Sequence, residues 1–428
     1  MTVVLFCLVA GGRASAFHSG GVGECDGCHT MHGDASASPG AGSYLLRGGD
    51  ASSVCLTCHQ NTGDTAPTSF HVSTADADMP PGLPPRQLSP GGDFGWLKKT
   101  FTWRTPTGNA TSRGEQHGHN VVAADYGYVS DSRNVTAPGG TYPSANLSCV
   151  SCHDPHGRYR RLGDGTIARS GLPILGSGSQ ADSLDPISGT SAVGAYRMLG
   201  GLDYQPKSLG GAFGFTSQAP AAVAPSGYNR SEAVTQTRVA YGQGMSEWCL
   251  NCHGGMVVNG KTFGMGVMGG TLAAPGHPVG SGANLTWTIL LNYSAYVRTG
   301  KLTGVASQSY LSLVPFEEGR QDYPTLKSHA RSDDGYLFGP DSLSTVSCLT
   351  CHRAHASGFD SILRYRAKGD FITVGSATSG ARWPDPGAEP AIAEGRSVAE
   401  TQASYYDRPA SAFTPFQRLL CNKCHAKD

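Results

Sequence analysis

The chain has 428 residues, sets 32 lysine and arginine against 32 aspartate and glutamate, and is 15% charged, where ordinary domains are roughly 25% charged. With no net charge it presents no field for nucleic acid or an anionic membrane, and no stretch reaches the roughly 18 apolar residues of a membrane span. These numbers exclude a nucleic-acid binder and an integral membrane protein, and the low charge suits a chain packed against other proteins.

The N-terminus carries an apolar run over residues 3–10, then Ala14, Ser15 and Ala16 ahead of Phe17. A short apolar run ended by small residues is the pattern of a signal peptide, here without the usual positive segment before it. Residues 1–16 are therefore expected to be removed, leaving 17–428 as a single secreted domain. Cys7 falls in the removed part, and bulky Phe6 before it argues against a lipoprotein.

The other 12 cysteines fall into six copies of C-x-x-C-H: Cys25/Cys28/His29, Cys55/Cys58/His59, Cys149/Cys152/His153, Cys249/Cys252/His253, Cys348/Cys351/His352 and Cys421/Cys424/His425. Two thiols three apart lie on one side of a helical turn, where they can form thioethers with the two vinyl groups of a porphyrin. The histidine that follows is then the proximal iron ligand. A zinc site needs four convergent ligands and no histidine fixed after each pair, and a redox Cys-x-x-Cys would occur once. The chain is thus expected to hold six covalently bound haem c groups.

Successive motifs begin 30, 94, 100, 99 and 73 residues apart, too unevenly for a solenoid repeat. Between them 59 glycines and 26 prolines make loop and turn material, as at residues 79–85 and 137–140. One helical run is expected over 284–299, with Gly300 as its stop. The fold class expected is a multihaem cytochrome c: mostly irregular coil and turns, short helices at the motifs, little strand, and a core built around a continuous chain of haems. The alternative, a disordered glycine-rich linker, is opposed by 17 tyrosines, 14 phenylalanines and five tryptophans spread along the length.

Nine histidines remain after the proximal set: His18, His32, His71, His117, His119, His156, His277, His329 and His355. Six irons closed by a second histidine each would be electron carriers, whereas an open iron would be a catalytic site. Nine histidines are more than enough to close all six. His29 and His32, His153 and His156, and His352 and His355 are each three apart, one face of a turn if helical. Neither member of such a pair can reach the far face of its partner's haem, so the second must serve a different haem or none. His71, His119, His277 and His329 are the other distal candidates. His119 is preferred to His117 two residues earlier, and His18, beside the mature N-terminus, ranks last.

Several segments carry a likeness to a known family: 17–22, the Cys-His-Thr-Met-His run ending at His32, 91–96, 137–143, 152–157, 204–209, 237–249, 351–361 and 421–428. In these the chain resembles the OmcS-type hexahaem c-type cytochromes, outer-surface proteins of metal-reducing bacteria that polymerise into conductive filaments. The resemblance implies six bis-histidine haems and head-to-tail self-association, with His32 ligating the haem of His352 in the next subunit. It further implies an extracellular, cell-surface electron carrier, exported through the periplasm. Periplasmic and outer-membrane cytochromes would be its donors, and metal oxides, electrodes or partner cells its acceptors. The chain departs from the family pattern at residues 254–274, at Asn61 and at His117. Two other functions compete: a multihaem oxidoreductase with one catalytic haem, and a soluble periplasmic shuttle.

Overall fold

The computed structural model describes residues 25–30, 45–61, 70–169, 171–209, 211–227, 229–256, 265–266, 274–275, 279–296 and 304–425. Among these residues the α-helices run to four to nine residues each: α1 (Cys25–Cys28), α2 (Ala51–His59), α3 (Met245–His253), α4 (Trp287–Ala295), α5 (Tyr323–His329), α6 (Cys348–Cys351), α7 (Pro390–Ala393) and α8 (Val398–Ser404). Strands pair as short ladders, the longest being the antiparallel hairpin Phe101–Thr105 with Gly108–Ser112. Gly108 closes its two-residue turn at φ 135°, a conformation that side chains resist. Irregular backbone dominates, in keeping with the glycine and proline content. Among the described residues no helix is long and apolar enough to cross a membrane.

Three of the motif positions take helical turns with a side-chain start signal. Asp50 caps α2 by accepting from the Ser53 backbone N–H at 2.8 Å and from Ser53 Oγ at 2.9 Å. Ser347 and Thr350 form a reciprocal capping box on α6, and Ser148 and Ser151 do the same on the 3-10 turn Cys149–Ser151. The sixth motif lies on another 3-10 turn, Leu420–Lys423.

Apolar side chains gather in several clusters rather than one core. One joins Tyr159, Tyr204, Phe215 and Met245, with Cys152, Trp248 and Cys252 packed against it. Another joins Tyr293, Phe316, Trp383, Tyr405 and Phe413, with Cys351 and Cys424 at its edge. Trp383 stacks on Tyr405 at 4.7 Å and 10°, and Tyr204 meets Phe215 edge-on at 5.3 Å and 74°. Motif thiols therefore sit against aromatic packing, where a large flat apolar group would extend each cluster.

Two expectations need correction. Among the described residues the helix expected over 284–299 runs Trp287–Ala295, while residues 297–300, with the expected stop at Gly300, lie outside them. Asn284 is drawn into a bridge with Thr345, the Leu285 N–H donates to the Ser344 carbonyl, and Tyr296 leaves helical geometry at ψ 87° as its ring buries. The histidine pairs three apart also do not ride on helices at the third and fifth motifs. His153 bridges Leu199, and His352 is extended at φ −107°, ψ 156° and bridges Leu363. The chain turns sharply after each, so the second histidine points to a separate neighbourhood.

Candidate haem-binding sites

A histidine ligates metal through one nitrogen while the other is held by a second group. His59, His153, His253 and His352 each have Nδ1 against a backbone carbonyl: Phe70 at 3.0 Å, Arg197 at 2.7 Å, Pro138 at 2.8 Å and Ser361 at 2.8 Å. A carbonyl only accepts, so Nδ1 carries the proton and Nε2 keeps its lone pair. His119 repeats the arrangement on the Ala354 carbonyl at 2.8 Å. His355 Nδ1 lies 3.4 Å from the Gly92 carbonyl.

The rings of the two sets face one another. His29 and His156 have centroids 6.3 Å apart at 17°, His153 and His355 are 6.3 Å apart at 61°, and His119 and His253 are 6.0 Å apart at 47°. Two imidazoles ligating one metal in line, with bonds of about 2 Å and ring centres roughly 1.1 Å behind each nitrogen, put their centroids about 6.3 Å apart. These pairs are therefore spaced to admit one metal and are too far apart to be stacked on each other. His71 lies beside His59, close enough to lower its pKa after burial has done so.

Burial favours the neutral form of His59, His119, His153, His352 and His355, the form a metal ligand must take. It pulls His119 down to about 4, with His253 adding to the effect, and His355 to about 3, with His153 adding. His153 and His352 are lowered for the same reason.

The thiols give the order of the sites. Neighbouring motifs touch electrostatically: Cys58 acts on Cys28, and Cys252 on Cys152. Cys149 lies close enough to Cys55 to raise it, and Cys348 likewise raises Cys249, burial adding in each case. Cys421 acts on Cys351. The six motifs thus form a single file in chain order. None of the 12 motif cysteines is paired in a disulfide. No group of three or more His, Cys, Asp or Glu able to hold a bare metal ion lies among the described residues. Paired thiols at aromatic edges, with facing imidazoles spaced for one iron, fit haem c.

His117 is different. Its ring is fully buried, Nδ1 donates to the Trp96 carbonyl at 3.0 Å, and Nε2 bonds Ser112 Oγ at 2.7 Å. Ser112 Oγ in turn donates to Asp360. Both nitrogens are engaged, so the ring ties two distant segments together and offers no lone pair to a metal. His329 stacks on Tyr336 at 3.9 Å, with Nδ1 held by Glu318 at 2.5 Å. His425 closes the sixth motif, its N–H donating to the Cys421 carbonyl at 3.0 Å. His18, His32 and His277 lie outside the described residues, as does most of the 254–274 segment.

The carboxylates behind the motifs were not legible in the sequence. Glu317 is buried against the start of α3, accepting from the Gly244 N–H at 3.2 Å and the Ser246 N–H at 3.1 Å. Burial, then the charge of Glu247, pushes it up to about 7 from 4.5. Between pH 4.5 and 7 the folded state therefore holds a proton that the unfolded state releases. Stability is gained as pH falls through 7 and is lost again on raising the pH, a difference of about 3 kcal/mol. Glu317→Gln is expected to be more stable than the parent at pH 8 and close to it at pH 5, as urea unfolding at the two pH values would measure.

A file of six thiol-pair and histidine motifs wrapped in sparse secondary structure defines a multihaem c-type cytochrome, an electron carrier. No family model matches the chain. It is 54% identical over 431 residues to C-type cytochrome OmcS of Geobacter sulfurreducens, covering 98% of this chain and 96% of the relative. The chain belongs to the OmcS family of c-type cytochromes. It is also similar to two solved structures that it covers completely, each matched over 96% of this chain with a TM-score of 0.87. One is the cryo-EM structure of OmcS nanowires, at 54% identity, and the other an Outer Membrane Cytochrome S filament, at 53%, both from Geobacter sulfurreducens.

Proposed function

We propose that this chain binds six haem c groups, each iron held between two histidines, and polymerises head to tail into an extracellular filament. The filament delivers respiratory electrons from periplasmic and outer-membrane cytochromes to metal oxides and other acceptors outside the cell. The carrying observation is the single file of motifs with imidazole pairs 6.0–6.3 Å apart. Self-association is supported by likeness to relatives solved as nanowires and filaments. Export would follow removal of residues 1–16.

On this reading the six cysteine pairs carry the thioethers, and His29, His59, His153, His253, His352 and His425 are proximal. His156 completes the site of His29, His71 that of His59, His355 that of His153 and His119 that of His253. His32 of one subunit completes the site of His352 in the next. His277 and His329 are the distal candidates for His425, with His18 behind them.

Haem iron, when bound, supplies a reversible one-electron change. The protein's own part is to keep that change local. Backbone carbonyls on Nδ1 fix the tautomer and orientation of His59, His153, His253 and His352. Burial favours neutral imidazoles at His59, His119, His153, His352 and His355, which limits how far their surroundings rearrange as charge passes. Two protein ligands on each iron leave no position for a substrate, which separates this reading from that of an oxidoreductase.

Intact-mass measurement of the secreted protein tests the loading. The expected mass is that of residues 17–428 with six haems and no free motif thiol. Five haems or fewer, or an alkylatable motif cysteine, would remove one site from the file.

A further inference from the structure

A small cavity lies behind the fifth motif, walled by Pro90, Glu232, Thr237, Ser312, Arg353 and Arg364 among others. It has about 20 Å³ of room for a water-sized body, enough for one or two waters or one small anion. Its charges do not balance. Glu232 is the carboxylate on this wall, and it is taken by Arg408 at 2.5 Å and by the Ser312 hydroxyl at 2.5 Å.

Arg353 and Arg364 are 3% and 4% exposed, and neither has a carboxylate within ion-pair distance among the described residues. Arg364 Nε donates to the Leu349 and His352 carbonyls at 2.6 and 3.0 Å. Its Nη1 donates to the Ser312 carbonyl at 3.4 Å. Arg353 lies over the Tyr406 ring at 3.4 Å and reaches the Pro90 carbonyl at 3.3 Å, while its Nε has no hydrogen-bond partner. Thr237 Oγ1 on the same wall is also buried without one. Carbonyls and a ring face lessen the cost of burying a guanidinium but do not cancel its charge. With Glu232 neutralised by Arg408, the two guanidiniums on the wall leave this space electropositive, with donors still open.

We infer that this cavity is an anion site, taking one small monoanion held by Arg353 and Arg364. Two sources share that chemistry: a free halide, and the carboxylate of a haem propionate, the second resting on the haem reading above. The test uses the mature haem-loaded protein, with chloride or bromide titrated against gluconate, which is too large to enter. The thermal midpoint is followed in the parent, Arg353→Gln and Arg364→Gln, alongside each haem's midpoint potential and a high-resolution cryo-EM map.

For a free halide, parent stability rises with chloride and with bromide, both variants lose the response, and isolated density fills the cavity. For a propionate, halide has no effect, both variants are destabilised, and one haem's potential falls because a nearby positive charge is gone. The inference is overturned if halide has no effect, every potential is unchanged, and both variants are as stable as the parent or more so. Neutralising a buried charge that truly lacks a counter-ion would give that last result. None of these readouts needs filaments, so failure here is separable from failure of the proposed polymer. The halide titration and the map on the parent protein stand even if a variant does not fold.

Discussion

Replacing His32 with alanine is expected to turn secreted filaments into dispersed single subunits that still carry six haems. His32 is three residues after His29, and the ring facing His29 at 6.3 Å is His156. The first site therefore has its distal candidate without His32. His32 also lies 15 residues from the expected mature N-terminus at Phe17, and chain ends usually sit at the surface. The site of His352, with Nδ1 held by Ser361 at 2.8 Å, presents an Nε2 whose opposite ligand can come from another molecule. A contact between two different surfaces is heterologous, and repeated without closing it makes an open filament. In the variant one iron per chain would lack its distal ligand, so reduced protein should bind one carbon monoxide per subunit. Electron microscopy and carbon monoxide titration check the two halves separately. Unchanged filaments with every iron still six-coordinate would mean that His32 does not make the joint.

The second large effect is expected at His355. His355→Ala should leave six haems attached and open the iron held by His153, giving one carbon-monoxide-binding, high-spin iron per chain. The ring is half-buried, stacks on Phe94 at 4.8 Å and 21°, and faces His153 at 6.3 Å. Removing it also leaves a cavity under Phe94, with a cost of about 2–4 kcal/mol in stability. The control is His117→Gln. That change should cost about 1–3 kcal/mol through the Trp96 and Ser112 partners, yet leave every iron six-coordinate, because His117 has no nitrogen to give. Optical and paramagnetic-resonance spectra of the two variants would separate ligand from structural histidine.

The contrast between His117 and His355 marks what the sequence could and could not carry. Cysteine spacing announced the six sites, because thioether attachment demands two thiols and a histidine within five consecutive residues. Glycine and proline content announced sparse secondary structure. The choice among spare histidines needed long-range contacts: His119 is held by Ala354 from 235 residues away, and Ser112 reaches Asp360 across 248. No local pattern encodes such pairings. The shortened α4 fails for the same reason, since tertiary pairing of Asn284 with Thr345 overrode a good helical run. His156 faces His29 and His355 faces His153, with turns rather than helices carrying the chain away after His153 and His352. The buried arginines around Glu232 gave no signal at all, because charged residues in a chain are normally read as surface.

One unbroken file of haems is expected to run through each subunit and across the joint to the next. Cryo-electron microscopy of the secreted material tests it most directly. The expected map is a filament with six porphyrins per subunit in motif order, His156, His71, His355 and His119 opposite His29, His59, His153 and His253, and His32 of one subunit on the iron of His352 in its neighbour. Particles of single subunits, or a filament whose porphyrins are interrupted at the joint, would contradict it.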